Sequence, residues 1–399
     1  MLGEKKDFGL ILFASAVLLS FILFTNVKIR GEQQFSFLAR SFLAGKLYFL
    51  EKPGSWGDAF LFNGHYYWLG GLLPALILVP FVYVFNLFGI FFYQNYLHFP
   101  LVLGVFFLVF KIAERIGYKK EDSLYLAVAF CFASVFVGVA AISWSWYFAQ
   151  VLSVFLLLIV IWEYLTQKRY KLIGLIFALI LLTRVTASLG IVFFALEILY
   201  SSKNKLKDLL SLMLPFLLGA GIWLGYNYIR FGNALEGGYC NDNLPAPSFQ
   251  ACRSFGIFSP SHIPGNLYYL FLGTPLQVFK DNVSKVLTFP FIKANPWGMS
   301  IFITSPYYLY LFFLKYKEKL SKILFLVVLL IALSIAMYYG IGYFQYGYRY
   351  SLDFLPFLFF LLIKNYKLEK RRLSIYFKWV IVVSVALNFY LLTTLFLAT

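Results

Sequence analysis

Long uninterrupted apolar runs constrain this chain more than any other feature. They cover 8–26, 67–91, 96–113, 124–143, 148–166, 209–228, 322–341 and 375–397. A helix rises about 1.5 Å per residue, so runs of this length suit a hydrocarbon core about 30 Å thick. Shorter runs at 171–183, 186–200, 300–315 and 351–364 need tilt, flanking residues or a partial crossing. Backbone groups in lipid must be paired internally, so the runs are expected to be helices. They are continuous rather than alternating, which excludes a transmembrane β-barrel. Composition agrees. Hydrophobic residues are 61% and charged residues 13%, too little polar matter to cover a soluble fold.

The formal net charge is +17. No basic groove or aromatic RNA motif accompanies it, so nucleic acid is not an expected partner. The bases instead cluster between the apolar runs: Lys5/Lys6, Arg115/Lys119/Lys120, Lys168/Arg169/Lys171, Lys203/Lys205/Lys207, Lys315/Lys317/Lys319/Lys322 and Lys364/Lys367/Lys370/Arg371/Arg372. The positive-inside rule puts all of these in the cytoplasm, the N-terminus with them. Large outer loops then fall at 27–66 and 229–299. The stretch 67–113 must cross an odd number of times although it has the length of two helices, and Pro74, Pro80 and Pro100 leave room for a broken or re-entrant one. The expected architecture is an all-α polytopic bundle of about 11–13 spans forming one domain over 1–399. No cleavage site follows the first run, which reads as a retained signal anchor. The absence of a retrieval signal and the compact size suggest a bacterial or archaeal cytoplasmic (inner) membrane. Cys131 lies in an apolar run and reads as a small hydrophobe. Cys240 and Cys252 share the second outer loop, as a disulfide or as two thiols.

A simple bundle needs no loop of some forty residues after its first helix, and long loops are commonly functional. Within it Phe35, Leu38, Ala39, Phe42 and Leu43 recur at helical spacing, predicting an amphipathic helix over 33–45 on the outer membrane face. Glu32 stands just before it. Asp58 and the run Asn63-Gly64-His65-Tyr66-Tyr67 come later.

Several segments, in order, resemble one family. They are Gly31-Glu32-Gln33-Gln34-Phe35 running on to Leu38-Ala39-Arg40 and Gly45, then Asp58, then Gly64-His65-Tyr66-Tyr67, then Leu73-Pro74. Further on come Leu182-Thr183-Arg184-Val185-Thr186, Tyr226-Asn227-Tyr228-Ile229-Arg230-Phe231-Gly232, and Gln345-Tyr346-Gly347-Tyr348-Arg349-Tyr350 with Asp353 and Pro356. The series resembles the GT-C superfamily of integral-membrane glycosyltransferases, of the glycosyltransferase-39-like or a related bacterial kind. These take sugars from polyprenyl-phosphate donors at the outer membrane face. The family's first acid is commonly Asp where this chain has Glu32. Its double proline is reduced here to Leu73-Pro74.

The resemblance implies an acceptor that is a glycan, lipid or protein hydroxyl, and a single inverting displacement. Such chemistry needs a base for the acceptor proton and cations for the departing phosphate. It implies Glu32 as base and Asp58 as its partner carboxylate. Arg184, Arg230 and Arg349 are candidates for the phosphate, because guanidinium forks onto phosphate oxygens. His65, Tyr66 and Tyr350 are candidates for binding substrate. Mg²⁺ or Mn²⁺ held by Glu32 and Asp58 would suit some members. Each residue also has a plain structural reading. In it Glu32 is a helix-start acid, Asp58 a turn residue, and Arg349 with Asp353 a pair on one helix face. Two rival functions are a transporter or flippase of a lipid-linked or small polar substrate, and a non-catalytic scaffold on the same frame. A transporter calls for mid-membrane charges and often an inverted repeat, and neither stands out here.

Overall fold

The protein is described from a computed structural model, which covers residues 2–51, 59–239 and 254–396. The chain opens on α1 (Leu2–Lys28) and turns into the short α2 (Gln34–Leu43). An antiparallel hairpin follows, β1 (Ala59–Phe62) with β2 (His65–Trp68), and then two short helices, α3 (Leu73–Leu76) and α4 (Val79–Leu87). The body of the bundle is α5 (Asn95–Ile116), α6 (Lys120–Phe132), α7 (Phe136–Ala141), α8 (Ser145–Thr166), α9 (Tyr170–Leu181), α10 (Val185–Ser188), α11 (Ile191–Ser201) and α12 (Lys205–Phe231). A less regular region carries α13 (Ile263–Leu267) and a second hairpin, β3 (Leu276–Phe279) with β4 (Leu287–Lys293). The last part holds α14 (Ile301–Thr304), a 3-10 segment at Pro306–Phe313, α15 (Lys319–Ala336), a 3-10 turn at Arg349–Asp353, α16 (Leu355–Glu369) and α17 (Ile375–Phe396).

This is a mostly helical, multi-pass membrane architecture. Among the described residues six helices are long and apolar enough to cross a bilayer: Phe8–Lys28 of α1, α5, α8, α12, α15, and Ile375–Leu395 of α17. Burial separates their roles. Of its most apolar window, 78% of α8 is buried against 17% of α12, so α8 is the central pillar and α12 an outer, lipid-facing helix.

Two of the long apolar runs are not single helices. The run 67–91 begins as β2 and restarts twice, with Pro74 and Pro80 in the first turns of α3 and α4. Proline has no N–H to extend a preceding helix but fits the first turn of a new one. Both ends of the segment return to the same neighbourhood. The Leu73 N–H donates to Leu182 O at 3.0 Å, and the Gln94 N–H donates to Gln33 Oε1 at 2.9 Å. α5 alone therefore carries the chain of 67–113 to the other end, Pro100 being accommodated within it. The run 124–143 breaks at Ser134. Its hydroxyl donates to Phe130 O at 2.5 Å and accepts the Phe136 N–H at 3.0 Å, closing one helix and opening the next.

The all-α expectation holds for the bundle and misses the two hairpins. Asn63 and Gly64 form the first hairpin's turn at φ +46° and +79°, the left-handed pair that matches strand twist. The amphipathic helix is present as α2. Its apolar face, Phe35, Leu38 and Ala39, is covered by protein, including α3 and α4, rather than open to lipid, and Leu43 is exposed.

The bundle has two chemically distinct ends. At one, bases of the sequence-marked clusters, and Lys378 outside them, meet carboxylates and helix ends. Arg169 forks onto Glu163 at 2.9 Å through each of two nitrogens, Lys168 reaches Glu197 at 3.1 Å, and Lys378 reaches Glu121 at 2.5 Å and Asp122 at 3.1 Å. Arg115 Nε donates to Leu165 O at 2.9 Å. The C-terminus of α1, the N-termini of α5 and α8, and the C-termini of α9 and α12 gather at the opposite end.

Glycine sets the closest helix crossing. A Cβ on Gly174 of α9 would lie 2.0 Å from Leu212 O of α12, and one on Gly219 would lie 2.4 Å from Ala178 Cβ. Small residues let backbones approach where lipid supplies no hydrophobic drive. Gly174→Leu is expected to cost about 1–3 kcal/mol by overpacking. Gly221→Leu, on the open side of α12, is expected to leave thermal unfolding in detergent unchanged.

Candidate functional site

Gly31 turns the chain after α1 at φ +60° and lies so close to Trp144 that a Cβ there would fall 1.8 Å from the indole. This seats Glu32 against the N-terminus of α8. Glu32 is half-buried, and its Oε2 accepts from Gln34 Nε2 at 2.5 Å. Its backbone oxygen accepts from Gln94 Nε2 at 3.0 Å and from Ser145 Oγ at 3.3 Å. The Gln34 N–H donates to Ser145 Oγ at 3.0 Å, and Gln94 Nε2 also reaches Ser143 O. Gln33, Gln34, Gln94, Ser143 and Ser145 are all buried, so the acid is held in a web of amides and hydroxyls.

A turn and a half further along α8, at Gln150, Arg349 packs against the helix. The 3-10 turn Arg349–Asp353 carries it inward, and it is 7% exposed. Its Nη1 donates to Gln150 Oε1 at 3.3 Å, and Gln150 Nε2 returns a bond to Arg349 O at 3.1 Å. The guanidinium lies 4.7 Å from the Tyr350 ring centre and 5.7 Å from that of Tyr147. Its Nε has no hydrogen-bond partner among the described residues. Thus Glu32 and Arg349 both rest on the first turns of α8, through Ser145 and through Tyr147 with Gln150.

Arg184 lies in the turn between α9 and α10. It forks onto Asp353, Nε to Oδ1 at 2.5 Å and Nη2 to Oδ2 at 2.9 Å, and Thr186 Oγ1 donates to the same carboxylate. Its guanidinium also lies 5.7 Å from the Tyr350 ring centre. The plain structural reading of Arg349 paired with Asp353 is therefore not what the structure shows. The backbone turn directs Asp353 to Arg184, and Arg349 is left without a carboxylate among the described residues.

Arg230 ends α12 and is 6% exposed. It donates to Trp68 O at 3.1 Å and to Asn227 Oδ1 at 2.8 Å, and stacks 3.8 Å from the Tyr226 ring centre. Its Nε is also without a hydrogen-bond partner among the described residues. Tyr239 acts electrostatically on both Arg184 and Arg230, which brings the third arginine to the edge of the group. Burial raises the Tyr67 hydroxyl above its ordinary pKa, against the opposing charge of Arg230. Burial likewise pushes Tyr338 well above its usual value, helped by Tyr239 and Tyr350. Both are neutral hydrogen-bonding groups at neutral pH.

Of the residues singled out from sequence, Arg184, Arg349 and Tyr350 come together, Arg230 borders them, and Glu32 shares α8 with Arg349. His65 does not join them. It is exposed near the hairpin turn and stacks on Tyr48 with ring centres 3.8 Å apart. Tyr66 is half-buried in β2, its backbone oxygen accepting from the Phe49 N–H at 2.9 Å. It is Tyr67 and Trp68 that reach Arg230. Asp58, Cys240 and Cys252 lie outside the described residues, and with Asp58 goes half of the expected Mg²⁺ or Mn²⁺ ligand pair. Among the described residues no group of three His, Cys, Asp or Glu stands together. The residues not singled out from sequence are Gln94, Gln150 and Tyr147, while Thr186 stood in the Thr-Arg motif without a role of its own. A buried amide in or beside an apolar helix is costly unless paired, and that is the signal by which Gln94 and Gln150 were detectable.

The chain matches no family model, no curated protein and no solved structure.

Proposed function

We propose that this chain is a membrane glycosyltransferase of the GT-C kind, moving a sugar from a polyprenyl-phosphate donor to an acceptor hydroxyl at the outer face of a cytoplasmic membrane. The observation that carries the reading is the meeting of two largely buried guanidiniums, Arg184 and Arg349, at the Tyr350 ring, with the buried Arg230 at their border, at the end of the bundle opposite the basic clusters. Among the described residues the three share one carboxylate, Asp353, and Arg230 and Arg349 keep an unpartnered Nε. Buried cations are expensive unless paired. A phosphate anion would complete the pairing, and its lipid tail would remain in the bilayer beside the bundle.

In this reading Glu32 takes the acceptor proton as the acceptor oxygen bonds to the anomeric carbon. The bond from that carbon to the phosphate oxygen breaks, and the electron pair leaves with polyprenyl phosphate. The arginines receive the charge that develops there. Tyrosines around them supply ring faces and neutral hydroxyls for the sugar. A divalent cation, if one is held by Glu32 and Asp58, would add Lewis acidity. The spans are then α1, α5, α6 with α7, α8, α9, α10 with α11, α12, the Ile301–Phe313 pair, α15, α16 and α17, the lower of the counts the charges allow. The two outer loops hold the two hairpins.

The test is the purified protein in nanodiscs with a panel of polyprenyl-phosphate sugars. Release of polyprenyl phosphate with a glycosylated product is expected. Charge-assisted hydrogen bonds contribute about 1.5–3 kcal/mol, so Arg349→Gln is expected to weaken donor use roughly tenfold or more. Passage of the lipid-linked sugar across vesicles without a glycosylated product would instead make the chain a flippase.

A further inference from the structure

The hairpin β3–β4 packs on α17, a membrane-crossing helix. Trp379, Val382 and Val383 in the first half of α17 are exposed and form its lipid-facing stripe. Continued at helical spacing, that stripe passes through Ala386 and Tyr390 to Thr394. At these last positions the hairpin takes over. Tyr390 donates its hydroxyl to Pro290 O, and the Ala294 N–H donates to Thr394 Oγ1 at 3.0 Å. Tyr390 and Thr394 are four residues apart, about 6 Å along the axis, so β4 runs down the outer end of a face that elsewhere meets lipid.

Its alternation places the rest. In β4 the side chains of Leu287, Phe289, Phe291 and Lys293 are exposed, while those of Thr288, Pro290 and Ile292 are partly covered. Phe289 is 77% exposed and Phe291 53%. In water this would be a costly apolar face on an unprotected strand edge. Lys280, Lys285 and Lys293 border it, and their long stems can lie along apolar surface with the ammonium at phosphate level. Trp297, an interfacial residue type, is half exposed just beyond.

We infer that the β3–β4 hairpin is a membrane-interface element, with Phe289 and Phe291 in the boundary between headgroups and acyl chains and the flanking lysines on lipid phosphates. This rests on the multi-pass architecture alone and is independent of the sugar-transfer reading. The hairpin fixes the second outer region against the bilayer at the end that carries the arginines.

The experiment labels Phe289→Cys with an environment-sensitive fluorophore in the full-length protein carrying Cys131→Ala, Cys240→Ser and Cys252→Ser. The protein is reconstituted into vesicles of phosphatidylcholine and phosphatidylglycerol. The expected result is blue-shifted emission, strong loss of intensity with a shallow spin-labelled lipid, and little loss with aqueous iodide. A second label at Asn233→Cys, past the end of α12, reports whether the fold and reconstitution are intact through its own iodide access. Iodide quenching at residue 289 without lipid quenching would overturn the inference. So would protection from both quenchers with cross-linking between copies, which would make the face a dimer contact.

Discussion

Glu32→Gln is expected to abolish sugar transfer while leaving the protein folded. The substitution keeps size and shape and replaces one oxygen by an amide nitrogen. Gln34 Nε2 still finds a side-chain carbonyl, and the bonds from Gln94 and Ser145 go to the Glu32 backbone, which is unchanged. At these bonds the cost to stability is about that of one neutral hydrogen bond, roughly 1 kcal/mol or less. The rate is another matter. A carboxamide takes up no proton at neutral pH, and a positioned general base contributes on the order of 10²–10⁴-fold. Glu32→Asp keeps the charge but withdraws it by one methylene, so an intermediate rate is expected. Initial rates of polyprenyl-phosphate release, read beside thermal unfolding in detergent, check both parts. An unchanged rate in Glu32→Gln removes Glu32 as the base.

The largest effect on stability is expected from Asp353→Leu. The Asp353 side chain is 1% exposed and holds both the Arg184 fork and the Thr186 hydroxyl. Removing it leaves a buried guanidinium without its counter-charge, a change that costs about 3–5 kcal/mol. Removing both charges in Arg184→Met/Asp353→Leu is expected to recover most of that loss, because a buried pair exchanged for apolar side chains is often near neutral. The double variant is nevertheless expected to use the phosphate-linked donor poorly. A thermal-unfolding double-mutant cycle measures the coupling. Equal unfolding temperatures for Asp353→Leu and the double variant would show that the pair does not act as a unit.

Charge and hydropathy made the bundle legible, because both are set by the solvent rather than by neighbours. The basic cluster at Lys168/Arg169 marks a helix end that the structure closes onto Glu163 and Glu197. In 67–91 the charges required an odd number of crossings over 67–113 and Pro74 and Pro80 left room for a broken helix, but hydropathy alone did not show where it breaks. Hydropathy sums side chains and is blind to Gln94, whose tie to Gln33 turns the segment back. Nor does it show the break at Ser134, where one hydroxyl serves two helices. The Asn63-Gly64 turn was visible as a hairpin signal and was read only as part of a motif.

The site was legible in parts for a related reason. Arg184 drew notice because a charge in an apolar hairpin is costly. Its partner did not, since Arg349 and Asp353 sit four apart and local spacing suggested the wrong pair. Which arginine Asp353 meets depends on a 3-10 turn that brings together segments 169 residues apart in sequence. His65 carries the opposite lesson. A histidine in a polar loop looked available for chemistry, and the hairpin turn holds it against Tyr48, apart from the arginines.

The central claim is that these arginines hold a lipid phosphate. The most direct measurement is photo-cross-linking with a polyprenyl phosphate carrying a diazirine on the isoprene unit next to the phosphate, mapped by peptide mass spectrometry. Labels are expected on the segments around Thr183–Thr186, Tyr226–Phe231 and Gln345–Asp353, and they should fade when unlabelled polyprenyl phosphate competes. Labels spread over the lipid-facing side of α12 and α17, equally strong with and without competitor, would contradict the claim.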